Sequence, residues 1–147
     1  MAFYNPVILC GVVGWASAQV IKFFLNLFHN SSFELERLYG SGGMPSSHSS
    51  LVCAAFISTG RLAGWESPIT AVMFVLAAIV MYDAANVRLE AGKHAKQLNE
   101  IMERLLMLDG DMDAKRKEFK ELLGHTPLQV VCGAILGIVI GAVFPLG

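Results

Sequence analysis

Two short polar stretches in an otherwise apolar chain carry residue types suited to phosphoryl chemistry. The first, GGMPSSHSS at 42–50, holds two glycines, a proline, four serines and His48. The second, GHTPLQ at 124–129, holds a glycine, His125, Thr126 and Pro127. Each has the composition of a helix start. Pro45 suits the first turn, because it lacks the amide hydrogen that would go unsatisfied there, and Pro127 repeats the device with Thr126 as the N-cap. Gly42 and Gly43 permit close approach of backbone to a ligand. Ser46, Ser47 and His48 are then expected in a first turn, where free amides and the helix dipole favour an anion. A neutral imidazole is a nucleophile near pH 7, and an imidazolium is an acid able to protonate a leaving oxygen. Two helix starts, each with a histidine, would converge on one phosphate, with Lys22 and Arg88 as neutralising cations. The competing reading is that serine and threonine merely cap helices, and each stretch taken alone supports no more than that. The matched pair with two cations favours a site.

These residues have to be brought together by membrane helices. Of the 147 residues, 54% are hydrophobic, and the mean hydropathy is +0.55. Residues 1–21 and 126–147 carry no charged side chain, and each run is long enough to cross a bilayer. Two shorter runs, from Pro45 to Arg61 and from Ser67 to Tyr82, are joined by the turn RLAGWES. They read as a transmembrane hairpin, with Arg61 snorkelling and Trp65 at the interface. The chain is therefore expected to be a single all-α integral membrane domain, 1–147. Its four transmembrane helices are expected at about 6–28, 45–62, 67–87 and 126–146. The first run lacks a basic n-region and is too long for the apolar part of a cleaved signal.

Between the third and fourth spans, at about 88–124, the pattern predicts a charged helical hairpin outside the bilayer. Val87, Ala91, His94, Leu98, Ile101 and Leu105 recur at spacings of four and three, a short heptad seam that continues the third span. DGDMD at 109–113 breaks it. AKRKEFKELLG returns as a second helix with Phe119, Leu122 and Leu123 on one side. Most of the charges in this segment read as a solvated face. Four spans place both termini on one side and put loop 29–44 and the hairpin on the other. That second side gathers Lys22, His48, Asp83, Arg88 and His125, together with His29 and His94. Ionisable groups at membrane depth are expensive and mark functional sites. Eight of the eleven basic residues, from Arg88 to Lys120, lie in this segment. The positive-inside rule therefore puts the site face in the cytoplasm of a multi-pass plasma membrane protein.

Composition excludes other classes. A net charge of −1 argues against nucleic acid as a partner. Cys10, Cys53 and Cys132 are scattered inside apolar runs, without the spacing of a zinc site or a disulfide framework, and read as small hydrophobes. No metal and no cofactor are expected. Gly133, Gly137 and Gly141 repeat every four residues, which permits close helix contact within the chain or with a second copy as a homo-oligomer.

The quoted stretches resemble a known family. MPSSH is similar to the Pro-Ser-Gly-His motif of the type-2 phosphatidic acid phosphatase and vanadium haloperoxidase superfamily, and GHTPLQVVCGAILG to the end of its last motif. SGGMPSSHSS, DAANVRLEAGKHAKQLN and LLGHTP together resemble a divergent branch of small bacterial and plastid membrane proteins. The resemblance covers most of the chain. It implies a phosphohistidine mechanism without a metal. His125 would be the nucleophile and His48 the general acid, while Lys22, Ser46 and Ser47 would hold the phosphoryl oxygens. Three positions depart from the superfamily pattern. His29-Asn30 stands where Arg-Pro would follow Lys22. The Ser-Arg pair before the nucleophile is absent, leaving Arg88 as a substitute from another helix. Gln129 occupies a place close to that of the orienting acid, and Asp83 is the other acid at membrane depth. The reading is a phosphatase acting on a lipid phosphate or pyrophosphate at the bilayer. The alternatives are a protein that binds or transports a phosphorylated headgroup without hydrolysing it, and a purely structural membrane protein.

Overall fold

A computed structural model describes residues 5–29, 43–109 and 125–147, without the side chains of Phe28, His29, Arg88 and residues 106–109. Everything described is helix or short connection. The elements are α1 (Pro6–His29), α2 (Ser47–Ala63), α3 (Pro68–Tyr82), a π-helical turn (Asp83–Val87), α4 (Arg88–Asp109) and α5 (Pro127–Val143). Two helical stretches are long and apolar enough to cross a membrane by length and composition: Pro6–Leu27, and the continuous run Pro68–Leu105 formed by α3, the π turn and α4. The helices α2 and α5 have 17 residues each, a rise of about 26 Å against a hydrocarbon core of about 30 Å.

The centre of the bundle is α2. Ten of its residues are buried, from Ser47 to Gly60, and all but Val52 of these are small or hydroxylated. It runs antiparallel to α1: the Cys10 thiol donates to the Ala54 carbonyl at 3.7 Å, and the Ser50 hydroxyl donates to the Gly14 carbonyl at 2.8 Å. It runs antiparallel to α3 as well, with the Phe56 ring 5.5 Å from Phe74 and the Cys53 thiol 3.8 Å from the Met81 sulfur. With α5 it runs parallel. Gly133 lies against Ser46, Gly137 against Ser50 and Cys53, and Gly141 against Ala54 and Ile57. At the far end the Arg61 guanidinium donates to the carbonyls of Gly141 (2.7 Å) and Phe144 (2.8 Å). A cation there complements the negative end of α5. Arg61 is exposed, as expected of a snorkelling side chain, and the last carbonyls of α5 give its guanidinium partners as well.

Large apolar side chains point outward: Ile8, Val12, Ile69, Val72, Phe74, Val75, Ile79, Val131, Ile135 and Val139 are all exposed. Glycine, serine, alanine and cysteine fill the interior. This inverts the pattern of a water-soluble bundle and matches helix association in lipid, where small residues let backbones approach and polar groups bond between helices.

One boundary differs from expectation. Helix α2 starts at Ser47, with Ser46 as its N-cap and Pro45 just outside rather than in the first turn. The reason is chemical: the Ser46 side chain accepts the Ser49 amide at 3.4 Å, which a proline at that place could not do. The helix of the third span continues through the π turn to Asp109, where DGDMD begins, as the heptad seam implied. Leu98, Ile101 and Leu105 of that seam are exposed. On α4 the Lys93 ammonium donates to Glu90 at 2.7 Å. The expected return helix with Phe119, Leu122 and Leu123 lies outside the described residues, as do loop 30–42 and Gly42.

The glycine stripe of α5 has its partner inside the chain, so a second copy would meet α5 on another face. A Cβ at Gly137 would fall 2.9 Å from both Ser50 Cα and Cys53 Cβ, and closer still to the Ser50 carbonyl. Backbone does not yield as a flexible side chain does. Gly137→Ala is therefore expected to destabilise by about 1–3 kcal/mol or more through overpacking, seen as a lower thermal midpoint in detergent micelles. Gly147→Ala, with nothing within 4 Å, should leave the midpoint unchanged. Equal midpoints for the two variants would contradict the close α2–α5 contact.

Candidate active site

Because α2 and α5 are parallel, both N-termini open at the same end of the bundle. The two histidines meet there. The His48 and His125 rings are 6.4 Å apart between centroids and inclined at 80°, edge to face. His48 is exposed, and His125 is 2% exposed beneath it.

Each histidine is placed by its helix start. On α2, Ser46 caps from a fully buried position: its hydroxyl oxygen accepts the Ser49 amide and also the Ser49 hydroxyl, the latter at 3.0 Å. The Ser46 amide donates to the Gln129 carbonyl at 3.0 Å, which ties the start of α2 to the first turn of α5. On α5, Thr126 and Gln129 form a capping box. The Thr126 hydroxyl accepts the Gln129 amide at 3.4 Å, and Gln129 Oε1 accepts the Thr126 amide at 3.0 Å. These bonds satisfy donors that an α-helix leaves without internal partners. Thr126 as N-cap and Pro127 in the first turn are as the sequence suggested. The bond made by Gln129 Oε1 was not foreseen; the pattern T-x-x-Q was the available signal.

The remaining candidates approach from the other two helices. Lys22, 3% exposed, lies near the end of α1, with its stem against Gly43: a Cβ on Gly43 would sit 3.3 Å from Lys22 Cδ. Gly43 has φ +98°, a conformation that glycine adopts without a steric penalty. Asp83 is half-buried and opens the π turn. The next residue, Ala84, accepts the His125 amide through its carbonyl at 3.0 Å. Ala84 is 4% exposed, so this bond is buried at both ends. Ser47 is buried beside His48. The backbone of Arg88 follows the π turn at the same end, while its side chain lies outside the described atoms, as does that of His29. His94 is exposed on α4, about 15 Å further along the helix axis than Ala84, and stands apart from the pair. Among the described residues no cluster of three histidine, cysteine or acidic groups is placed to hold a metal.

A bundle with small and hydroxylated residues inside and large apolar side chains outside is that of a helical membrane protein. More particularly, the chain belongs to the family described as "Divergent PAP2 family", whose model matches residues 3–140. It is 34% identical over 131 residues to "Uncharacterized membrane protein YuiD" of Bacillus subtilis (strain 168), an alignment covering 84% of this chain and 83% of the relative. No solved structure matches the chain. The resemblance read from MPSSH and GHTPLQ is thus borne out at the level of the family.

The capping box yields a stability prediction. Thr126→Ala removes the hydroxyl that accepts the Gln129 amide and is expected to lower stability by about 0.5–2 kcal/mol. Gln129→Glu keeps an oxygen acceptor on a side chain of equal length and adds a negative charge at a helix N-terminus, so stability should hold or rise. Thermal unfolding of the two variants in one detergent checks both signs.

Proposed function

We propose that the protein is a metal-independent phosphatase acting on a lipid phosphate or pyrophosphate, with His125 as nucleophile and His48 as general acid. The observation that carries this reading is the contact of the two imidazoles at two helix N-termini facing the same end. In the first step a nitrogen of His125 attacks phosphorus. The N–P bond forms as the bond from phosphorus to the lipid oxygen breaks, and the His48 imidazolium gives its proton to that oxygen, releasing the alcohol or lower phosphate. In the second step water attacks phosphorus. His48, now neutral, takes the proton from the water, the N–P bond breaks, and inorganic phosphate leaves. The first-turn amides of α2, with Ser46, Ser47, Lys22 and Arg88, would hold the phosphoryl oxygens. The apolar exterior favours a substrate presented by the bilayer. In the full topology of this proposal α1, α2, α3 and α5 all span the membrane, and the histidine end faces the cytoplasm with the basic segment after the third span.

Two observations favour a second reading, binding or transport of a phosphorylated headgroup without hydrolysis. Gln129 is a neutral amide whose oxygen is spent on the helix cap, and the His125 ring is covered. Phosphate release from polyprenyl and glycerolipid phosphates by detergent-purified protein separates the two. The enzyme reading expects release by the wild type, inhibition by vanadate, and a fall to background in His125→Ala with lipid binding largely kept. His48→Ala should slow release most for the poorest leaving group. Wild type and His125→Ala equally inactive on every lipid, both still binding it, would transfer the conclusion to the second reading.

A further inference from the structure

We propose that α4 is a dimerisation helix. Its apolar seam of Val87, Ala91, His94, Leu98, Ile101 and Leu105 packs against the same seam of a second copy of this chain, the two helices parallel and in register. The proposal stands independently of the phosphatase reading.

The seam lies in water rather than in lipid. About 20 residues of the continuous helix Pro68–Leu105 suffice to cross a hydrocarbon core, which brings the helix out near residue 88. Beyond that point Glu90, Lys93, Lys96, Glu100, Glu103 and Arg104 are all exposed, the mark of turns that stand in water. Yet Val87, Leu98, Ile101 and Leu105 are between 47% and 57% exposed, and Ala91 and His94 are exposed with them. Single apolar side chains on a surface need no explanation. A contiguous stripe about 27 Å long marks an interaction surface.

The chain covers α4 on a different face. Gly92 and Ala95 are buried, and Leu89 and Asn99 are half-buried. At about 100° per residue, that face is centred about 140° around the helix from the seam. The stretch 110–124 is too short to cover the seam as a paired helix. It joins Asp109 to His125, and His125 is bonded at Ala84, about 37 Å back along the axis from Asp109. As a single helix this stretch would rise only about 22 Å.

The pattern of the seam points to the same chain as its occupant. Alternating spacings of four and three are those of a coiled coil, with Ala91, Leu98 and Leu105 at a and Val87, His94 and Ile101 at d. Two copies inserted the same way up hold their α4 helices parallel, and the bilayer sets both at one height. Each seam residue then meets its own counterpart across a twofold axis. The charges permit this. The seam contains no Lys, Arg, Asp or Glu. In a parallel pair each g position faces the e position five residues on in the partner helix, which sets Glu90 opposite an alanine, at 95, and Gln97 opposite a methionine, at 102. No like charges oppose each other there. A seam this short would associate weakly between free peptides. Here α3 has already nucleated the helix, and confinement to one membrane raises the effective concentration. His94 is the polar layer of the seam, a device that fixes register and strand number at a cost in stability.

Cysteine crosslinking of the full-length protein in lipid vesicles tests the proposal. With copper–phenanthroline as oxidant, Ala91→Cys and Leu105→Cys, each made singly, should both give a disulfide-linked dimer, because a parallel pair in register brings both positions to their own counterparts. Lys96→Cys, on the opposite side of α4, should not, nor should the wild type with Cys10, Cys53 and Cys132. Energy transfer between two labelled populations in the same vesicles gives a second readout. Leu98→Asp and Ile101→Asp should weaken association at least 10-fold, whereas His94→Leu should strengthen it. All three side chains are exposed, so the helical content seen by circular dichroism should not change. Wild-type protein that stays monomeric in vesicles would overturn the proposal, and a seam covered by the bilayer surface or by another protein gives that result. Equal crosslinking at positions 96 and 105, or association unaltered in Leu98→Asp, would overturn it as well.

Discussion

The parallel contact of α2 and α5 governs the placement of everything else. Two helices that run the same way and touch through glycine present their N-termini side by side. Gly133 and Gly137 meet the backbone at Ser46 and Ser50 with no side chain between them, so the helix starts sit close enough for the Ser46 amide to reach the Gln129 carbonyl. The histidines follow as a consequence: His48 is two residues past one cap, and His125 one residue before the other. In lipid, where apolar burial gives no preference for helix over hydrocarbon, close approach through small residues and interhelical hydrogen bonds is what remains to hold such a pair.

Much of this was legible in the residues. GHTPLQ announced an N-cap followed by proline, and the structure has both. The glycines at every fourth position announced a close helix contact, although sequence could not say whether the partner was α2 or another copy. Pro45 was read as part of the first turn, but it stands two residues before the first helical residue, Ser47, because proline and serine compete for helix starts and only the hydrogen bonds from Ser49 decide between them. Arg61 was read as a snorkelling side chain, and it is exposed. Its partners are carbonyls 80 and 83 residues away, a relation that no local pattern carries.

The π turn was hidden for a different reason. DAANV has no composition that distinguishes a π turn from an α-helix, since the difference lies in which carbonyl meets which amide. The candidate site residues themselves were visible as types: histidine, serine, lysine and aspartate are conspicuous among valines and leucines. What sequence could not show is how their duties divide. Ser46 and Gln129, both marked as site residues, spend their oxygens on helix caps. The histidine contact was an inference from topology that needed coordinates to become a distance.

Arg61 has a mechanical meaning. The α2–α5 pair is pinned at one end by the Ser46 amide on Gln129 and at the other by the Arg61 guanidinium on Gly141 and Phe144. Between the pins the surfaces mesh without play. Sliding one helix along the other would break both pins at once and drive the α2 backbone into the glycine channel. The pair therefore behaves as a stiff strut, and the spacing of its two imidazoles is not an adjustable quantity. Any movement around the two imidazoles must come from the walls beside the strut, where α1 brings Lys22 and the third helix carries its π turn.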